Sequence, residues 1–273
     1  MTMNKDTLYV KRKRPTDMLL LAAIYVSATL AVALLLGIIL YVFVKGIRTV
    51  NWAFLTTVTS ARKQTTGIAG NLLNTLYIIV ITLLIATPIG VGSAIYLNEY
   101  AKPGKLVSII EFTTETLSGI PSIIYGLFGM LFFVTALKWG YSMMAGAATL
   151  AIMVLPVIMR TTEEALLCVP DSFREGSFGL GAGKLRTIFK IVLPSAIPGI
   201  LSGIILAIGR IVGETAALIY TSGTVANLAG FFDSGRTLAI HMYSLSREGM
   251  HTNEAYATAV VLLIVVLIIN GVS

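Results

Sequence analysis

The chain has little of what enzymes and disulfide-stapled proteins lean on. It has a single cysteine, Cys168, so no internal disulfide can form. Its two histidines, His241 and His251, are too few to build a zinc cluster. Charged residues make up 12% of the sequence, against about 25% in an ordinary soluble domain. A chain so poor in charge cannot cover itself with polar surface in water. What it has instead is apolar: 56% of its 273 residues are hydrophobic and the mean hydropathy is +0.87. We read it as an integral membrane protein, with the lipid bilayer as its solvent. The net charge of +7 does not point to nucleic acid. Its basic residues lie mostly between the apolar runs, where topology signals sit.

Six apolar runs stand out, at about 18–44, 71–97, 107–137, 142–160, 192–221 and 254–270. Each is near or above the roughly 20 residues that span a bilayer as a helix. The expected fold is all-α and polytopic, with about six transmembrane helices. Residues 1–17 read as a cytoplasmic basic N-terminus, 18–70 as a first transmembrane helix with its outer loop, and 71–270 as the core. The cluster Lys11 to Arg14 ahead of an apolar run looks like a signal peptide, but the run exceeds the roughly 7–15 residues of such a segment. An uncleaved first helix is expected. Twelve Lys and Arg lie on the side of the N-terminus and seven on the other, with Arg210 inside a span. The positive-inside rule therefore places both termini in the cytoplasm of a cell whose plasma (inner) membrane holds the chain.

A polar, basic island at 161–190 interrupts the runs and falls on the cytoplasmic side. Pro170 can open a helix there. Ser172 and Glu175 have the spacing of a capping box, which predicts reciprocal bonds to free backbone donors. Gly179, Gly181 and Gly183 can end the helix, and Pro194 marks re-entry into the bilayer. The stretch Gly179 to Lys184 resembles a phosphate-binding P-loop, but Phe178 and Leu185 occupy positions that need Gly and Ser or Thr. The chain is therefore expected to hydrolyse no ATP and to bind no cofactor itself. On these residues alone, a solvated loop and a handle for another protein are both open.

Glu175-Gly-Ser177, then Gly181, then Ile191-Val-Leu193-Pro194 resembles the EAA loop of ABC importer permeases, with Gly176 and Ser177 in place of two alanines. Ala94 to Tyr100, Gly119 to Gly129, Arg160 to Ala165 and Gly213 to Ala216 are similar to phosphate ABC transporter permeases, of the PstA type rather than the PstC type. The resemblance implies a MetI-like permease core. It implies that Ser172, Glu175, Gly176, Ser177, Gly181, Leu193 and Pro194 belong to a coupling loop that docks on an ATPase. It further implies a PstC-type second permease, two ATP-binding subunits holding ATP and Mg, an external phosphate-binding protein, and phosphate as the substrate.

Arg210, Glu214 and Glu115 are the ionisable residues set deepest in the runs. Charge at the centre of a span costs about 2.5–3.5 kcal/mol, so each is expected to face protein or a water-filled path. Arg210 and Glu214 are spaced to meet across one helical turn. A structural ion pair and a phosphate path fit that spacing equally. Gly119, Pro121 and Gly126 in the third run, with Pro88, Gly90 and Gly92 in the second, are expected to weaken their helices. Competing functions are a permease for molybdate or sulfate, an ion-coupled secondary transporter, and a membrane scaffold or sensor.

Overall fold

The computed structural model describes residues 15–60, 65–249 and 251–271. The basic cluster Lys11 to Arg14, and Arg62 and Lys63 of the charge count, lie outside them.

The first run is one helix, α1 (Pro15–Gly46). Almost all its side chains are exposed, Leu19 by 73%, and it meets the rest of the chain along the last helix. Such a leucine-rich surface belongs in lipid, where exposure costs nothing. The outer loop that follows holds a short helix, α2 (Trp52–Thr56), and an antiparallel hairpin of β1 (Val58–Ser60) and β2 (Thr65–Ile68). The hairpin is the one departure from the expected all-α fold among the described residues.

The second run is α3 (Ala69–Ile95), which continues through Pro88 and ends in a wide π-type turn, Tyr96–Tyr100. The third run does not stay whole. It forms α4 (Lys105–Ser118) and α5 (Ser122–Gly129), the latter extended by a π-type segment to Ala136, with a bend of 102° between them. Pro121 has no amide hydrogen to continue the helix and pushes Ile120 out of helical geometry. The Tyr125 hydroxyl donates to the Leu117 carbonyl across the corner at 2.7 Å.

The fourth run is α6 (Met143–Leu167), the buried centre of the bundle. Ala145, Gly146, Ala147 and Ala148 are all buried on it, Gly146 against Ile78 of α3, and Gly199 and Gly203 let α9 approach its Ala165 and Thr161 closely. After it come α7 (Asp171–Gly179) and α8 (Lys184–Thr187), then a π-type turn leading into α9 (Leu193–Gly213). The fifth run also stops early. Glu214 adopts an extended backbone (φ −72°, ψ 125°), and a separate turn, α10 (Ala216–Ile219), follows. The sixth run is α12 (Thr252–Gly271). Five helices are long and apolar enough to cross a membrane, and the bent α4–α5 pair makes six when counted as one span.

The outer segment before α12 is not a loose loop. It contains α11 (Leu238–Glu248), with Leu238, Ile240, His241 and Leu245 buried. Asn74 of α3 fastens it, donating to the Asn227 carbonyl at 2.8 Å and accepting from the Ala229 amide at 3.1 Å. Thr75 accepts from the Leu238 amide at 2.9 Å.

Candidate functional site

Two places collect the polar residues singled out above. The first is the handle between α6 and α9. Pro170 occupies the position before the first helical residue of α7, so Ser172 lies too deep to cap it. No side chain caps that turn, and the expected capping box is not made. Among the three glycines, Gly181 takes the left-handed conformation (φ +80°) that a side chain disfavours. It turns the chain while its amide donates to the Phe178 carbonyl at 2.9 Å. Ser177 is buried, and its hydroxyl meets that of Thr187 at 2.8 Å, which locks α7 onto α8. Leu193 packs beside Leu166, Val169 and Val192, while Pro194 opens α9 at the surface.

Ser172, Glu175 and Gly176 face outward. Beside them Phe173, Phe178, Leu185 and Phe189 are about half exposed or more, and Leu180 is 91% exposed. A short polar helix is thus flanked by bare aromatic and leucine side chains.

Sequence reasoning passed over Arg174, counting it only as a loop charge. Its guanidinium forms an ion pair with Glu99 at 2.7 Å, with both side chains largely buried. The partners are 75 residues apart, and no local pattern joins them.

The second place is the break after α9. Arg210 and Glu214 are both half-buried, but they do not form an ion pair. Glu214 has left the helix, so the one-turn spacing no longer puts both side chains on one face. Its carboxylate instead accepts from the Ala217 amide at 3.0 Å and caps α10. Glu115 is elsewhere, exposed on α4 beside a cavity of about 270 Å³ that Glu111, Arg160 and Glu163 also line. Arg210 lines neither that cavity nor the larger one described next.

A larger cavity, about 950 Å³, opens at the same break. Tyr41 and Lys45 of α1, Thr215, Tyr220, Arg247 of α11 and Tyr256 of α12 are among its walls. Among the described residues, Lys45 and Arg247 are its only charged lining residues. Neither was singled out from the sequence, because each sits in a different loop flank and only the fold brings them together.

A helical bundle of this build, with bent spans and a protruding handle, is the membrane subunit of a transporter. The chain belongs to the family of binding-protein-dependent transport system inner membrane components, whose profile matches residues 86–272. It is thus an integral inner-membrane protein and the permease component of an ABC importer. It is 37% identical to a probable ABC transporter permease protein, YqgI, of Bacillus subtilis, over 94% of both chains. It is 32% identical to the phosphate transport system permease protein PstA of Haemophilus influenzae, over 94% of this chain and 92% of that one. A PstA homolog of Mycoplasma pneumoniae is 41% identical over 79% of this chain, but the match spans only 34% of that longer protein. Among solved structures, a bacterial alginate ABC transporter, in complex with an alginate pentasaccharide-bound periplasmic protein, superposes with a TM-score of 0.69 at 17% identity. That match covers 94% of each chain. The MetNI methionine ABC transporter gives 0.60 at 22%, over 78% of this chain and 95% of that one. Both likenesses speak to the fold alone.

Proposed function

We propose that this permease carries inorganic phosphate into the cell. The observation that carries the reading is the cavity at the α9–α10 break, whose charged lining residues are Lys45 and Arg247. A site with two cations and, among the described residues, no carboxylate in its walls favours an oxyanion. Relatives named as phosphate permeases at 32–41% identity support phosphate among the oxyanions. The same two cations would also attract sulfate or molybdate, so competition between the anions decides the substrate.

In this reading Arg210 is a second gripping group, set on α9 one turn before the break and outside the walls of that cavity. Among the described residues no carboxylate lies within ion-pair distance of it, so its fork of donors is free to bind phosphate oxygens in parallel. Glu214 does not tune Arg210 by direct pairing. It holds the start of α10 instead and keeps the break open. Glu115 stays outside the path, because Glu111, Glu163 and Glu164 line the same small cavity against one cation among the described residues, Arg160, and such walls repel an anion. Both termini face the cytoplasm, and the 161–190 handle docks there on a separate ATPase through Ser172, Glu175, Gly176 and their apolar neighbours. ATP and Mg belong to two such subunits. A PstC-type permease and an external phosphate-binding protein complete the complex. Closure of the ATPase pair around ATP moves the handle and opens the path outward. Only ligands that bind the two states unequally can drive that exchange.

The test is Arg210→Gln, read as phosphate uptake alongside membrane abundance. Uptake falls by about tenfold or more, the worth of one lost charge-assisted contact, while abundance holds. Unchanged uptake at unchanged abundance removes Arg210 from the path.

A further inference from the structure

We infer that the Arg174–Glu99 pair is the joint through which movement of the handle is passed into the membrane helices. The inference rests on the reading that α7 receives an ATPase subunit.

Arg174 ties together three elements with one planar group. One nitrogen reaches Glu99 on the terminal turn of α3 at 2.7 Å and the Leu166 carbonyl at 3.1 Å. The other reaches the Val169 carbonyl at 2.8 Å and the Asp171 carboxylate at 3.2 Å. The end of a helix leaves carbonyls without partners; where α6 gives way to α7, Arg174 supplies a donor to the Val169 carbonyl and adds one to Leu166, which already accepts from the Val169 amide. Glu99 is oriented in turn by the Asn98 side chain, which donates to it at 3.1 Å. Nearby, the Lys184 ammonium of α8 stands 4.9 Å from the centre of the Tyr100 ring. The side chains of Arg174 and Glu99 are only 16% and 8% exposed. A buried charge that loses its partner is costly, so the pair resists being pulled apart.

The outward side of α7 carries the docking residues, and its inward side carries this pair. A push on Phe173, Phe178 or Leu180 therefore displaces α7, the last turn of α3 and the end of α6 as one body. The long α3–α6 contact then carries the displacement toward the centre of the bundle. Arg174 and Glu99 are positioning residues. Neither lines either cavity.

Glu99→Gln isolates the charge of the joint, because the amide oxygen can still accept from Arg174 while Asp171 and the two carbonyls still hold its guanidinium. In the assembled, membrane-reconstituted complex, three quantities are read: retention of the ATPase, ATP turnover, and uptake of inorganic phosphate. We expect E99Q to retain the ATPase and its turnover, with phosphate moved per ATP lowered about tenfold. E99R is worse, and the exchange E99R/R174E recovers part of its loss, the signature of a direct pair. A second readout does not depend on the substrate. With Cys168 replaced by serine, spin labels at Gly179→Cys and Tyr96→Cys sit on exposed positions either side of the joint. Their separation is the same with and without ATP when Glu99 is present, and broadens with ATP in E99Q. An E99Q complex with unchanged coupling and unchanged label separation overturns the joint and leaves the docking reading standing. Loss of the ATPase from E99Q also overturns it, by making the pair a docking contact. A complex with the native Glu99 that holds no ATPase overturns the docking reading and the joint together. If ATP turns over but phosphate does not move, the phosphate reading alone falls, and the label separation still decides the joint.

Discussion

His241 shows at the scale of one residue what burial does. It is fully buried on α11, and neither ring nitrogen has a partner among the described residues. Burial, followed by the nearby Arg236 charge, pushes its pKa down from 6.5 to about 3. The folded chain therefore keeps the ring neutral where the unfolded chain takes up a proton. Stability is full above pH 6.5 and is lost as pH falls from 6.5 toward 3, by about 1.4 kcal/mol per pH unit. The opening free energy across Leu238–Leu245, read from hydrogen exchange after division by the intrinsic amide rate at each pH, should fall as pH is lowered from 7 to 5 and stay flat in His241→Leu. An equal fall in both proteins contradicts the assignment. Residues of this kind were only half legible. Arg210 and Glu214 declare themselves by standing in an apolar run, and their spacing promises a pair. That promise assumed an unbroken helix, and Glu214 spends its carboxylate on the Ala217 amide instead. Arg174 looked like an ordinary loop charge because its partner, Glu99, lies far away in sequence.

At the scale of elements, the two broken runs place the site. The bend at Pro121 brings α5 across to α10, and their closest approach is at Gly126. A β-carbon on Gly126 would lie 2.8 Å from the Ala217 α-carbon, which is backbone and cannot rotate away. Gly126→Ala should cost about 1–3 kcal/mol of stability and move the turn that carries Thr215 into the large cavity. Its melting temperature in detergent, compared with that of Gly37→Ala on open α1, checks this. Equal melting points refute the contact. The apolar runs were readable because length and hydropathy suffice to find a span. The weakening of the third run was readable from Gly119 and Pro121, but the size of the bend was not. The hairpin of β1 and β2 escaped notice because its strands are only three and four residues long. α11 escaped because its buried face was hidden in a polar, glycine-rich stretch. The clue lay in Asn74 and Thr75, polar residues on adjacent positions of an apolar run, which bind that stretch.

At the scale of the molecule, the parts divide the labour. α1 faces lipid, α6 fills the centre, a cavity with Lys45 and Arg247 among its walls opens at the α9–α10 break, and the handle exposes apolar side chains. The handle was legible because charge, glycine and proline interrupt two apolar runs, and its resemblance to an importer's coupling loop agrees with the family. The cavity was not legible, since Lys45, Thr215 and Arg247 come from three distant segments. The central claim is ATP-driven import of phosphate, and competition uptake tests it most directly. Labelled phosphate is supplied to the assembled complex with ATP, and unlabelled phosphate, sulfate or molybdate is added in excess. Uptake should need ATP and its ATPase subunits, and only unlabelled phosphate should abolish it. Uptake that persists without the ATPase, or that sulfate or molybdate suppresses as well as phosphate does, contradicts the account.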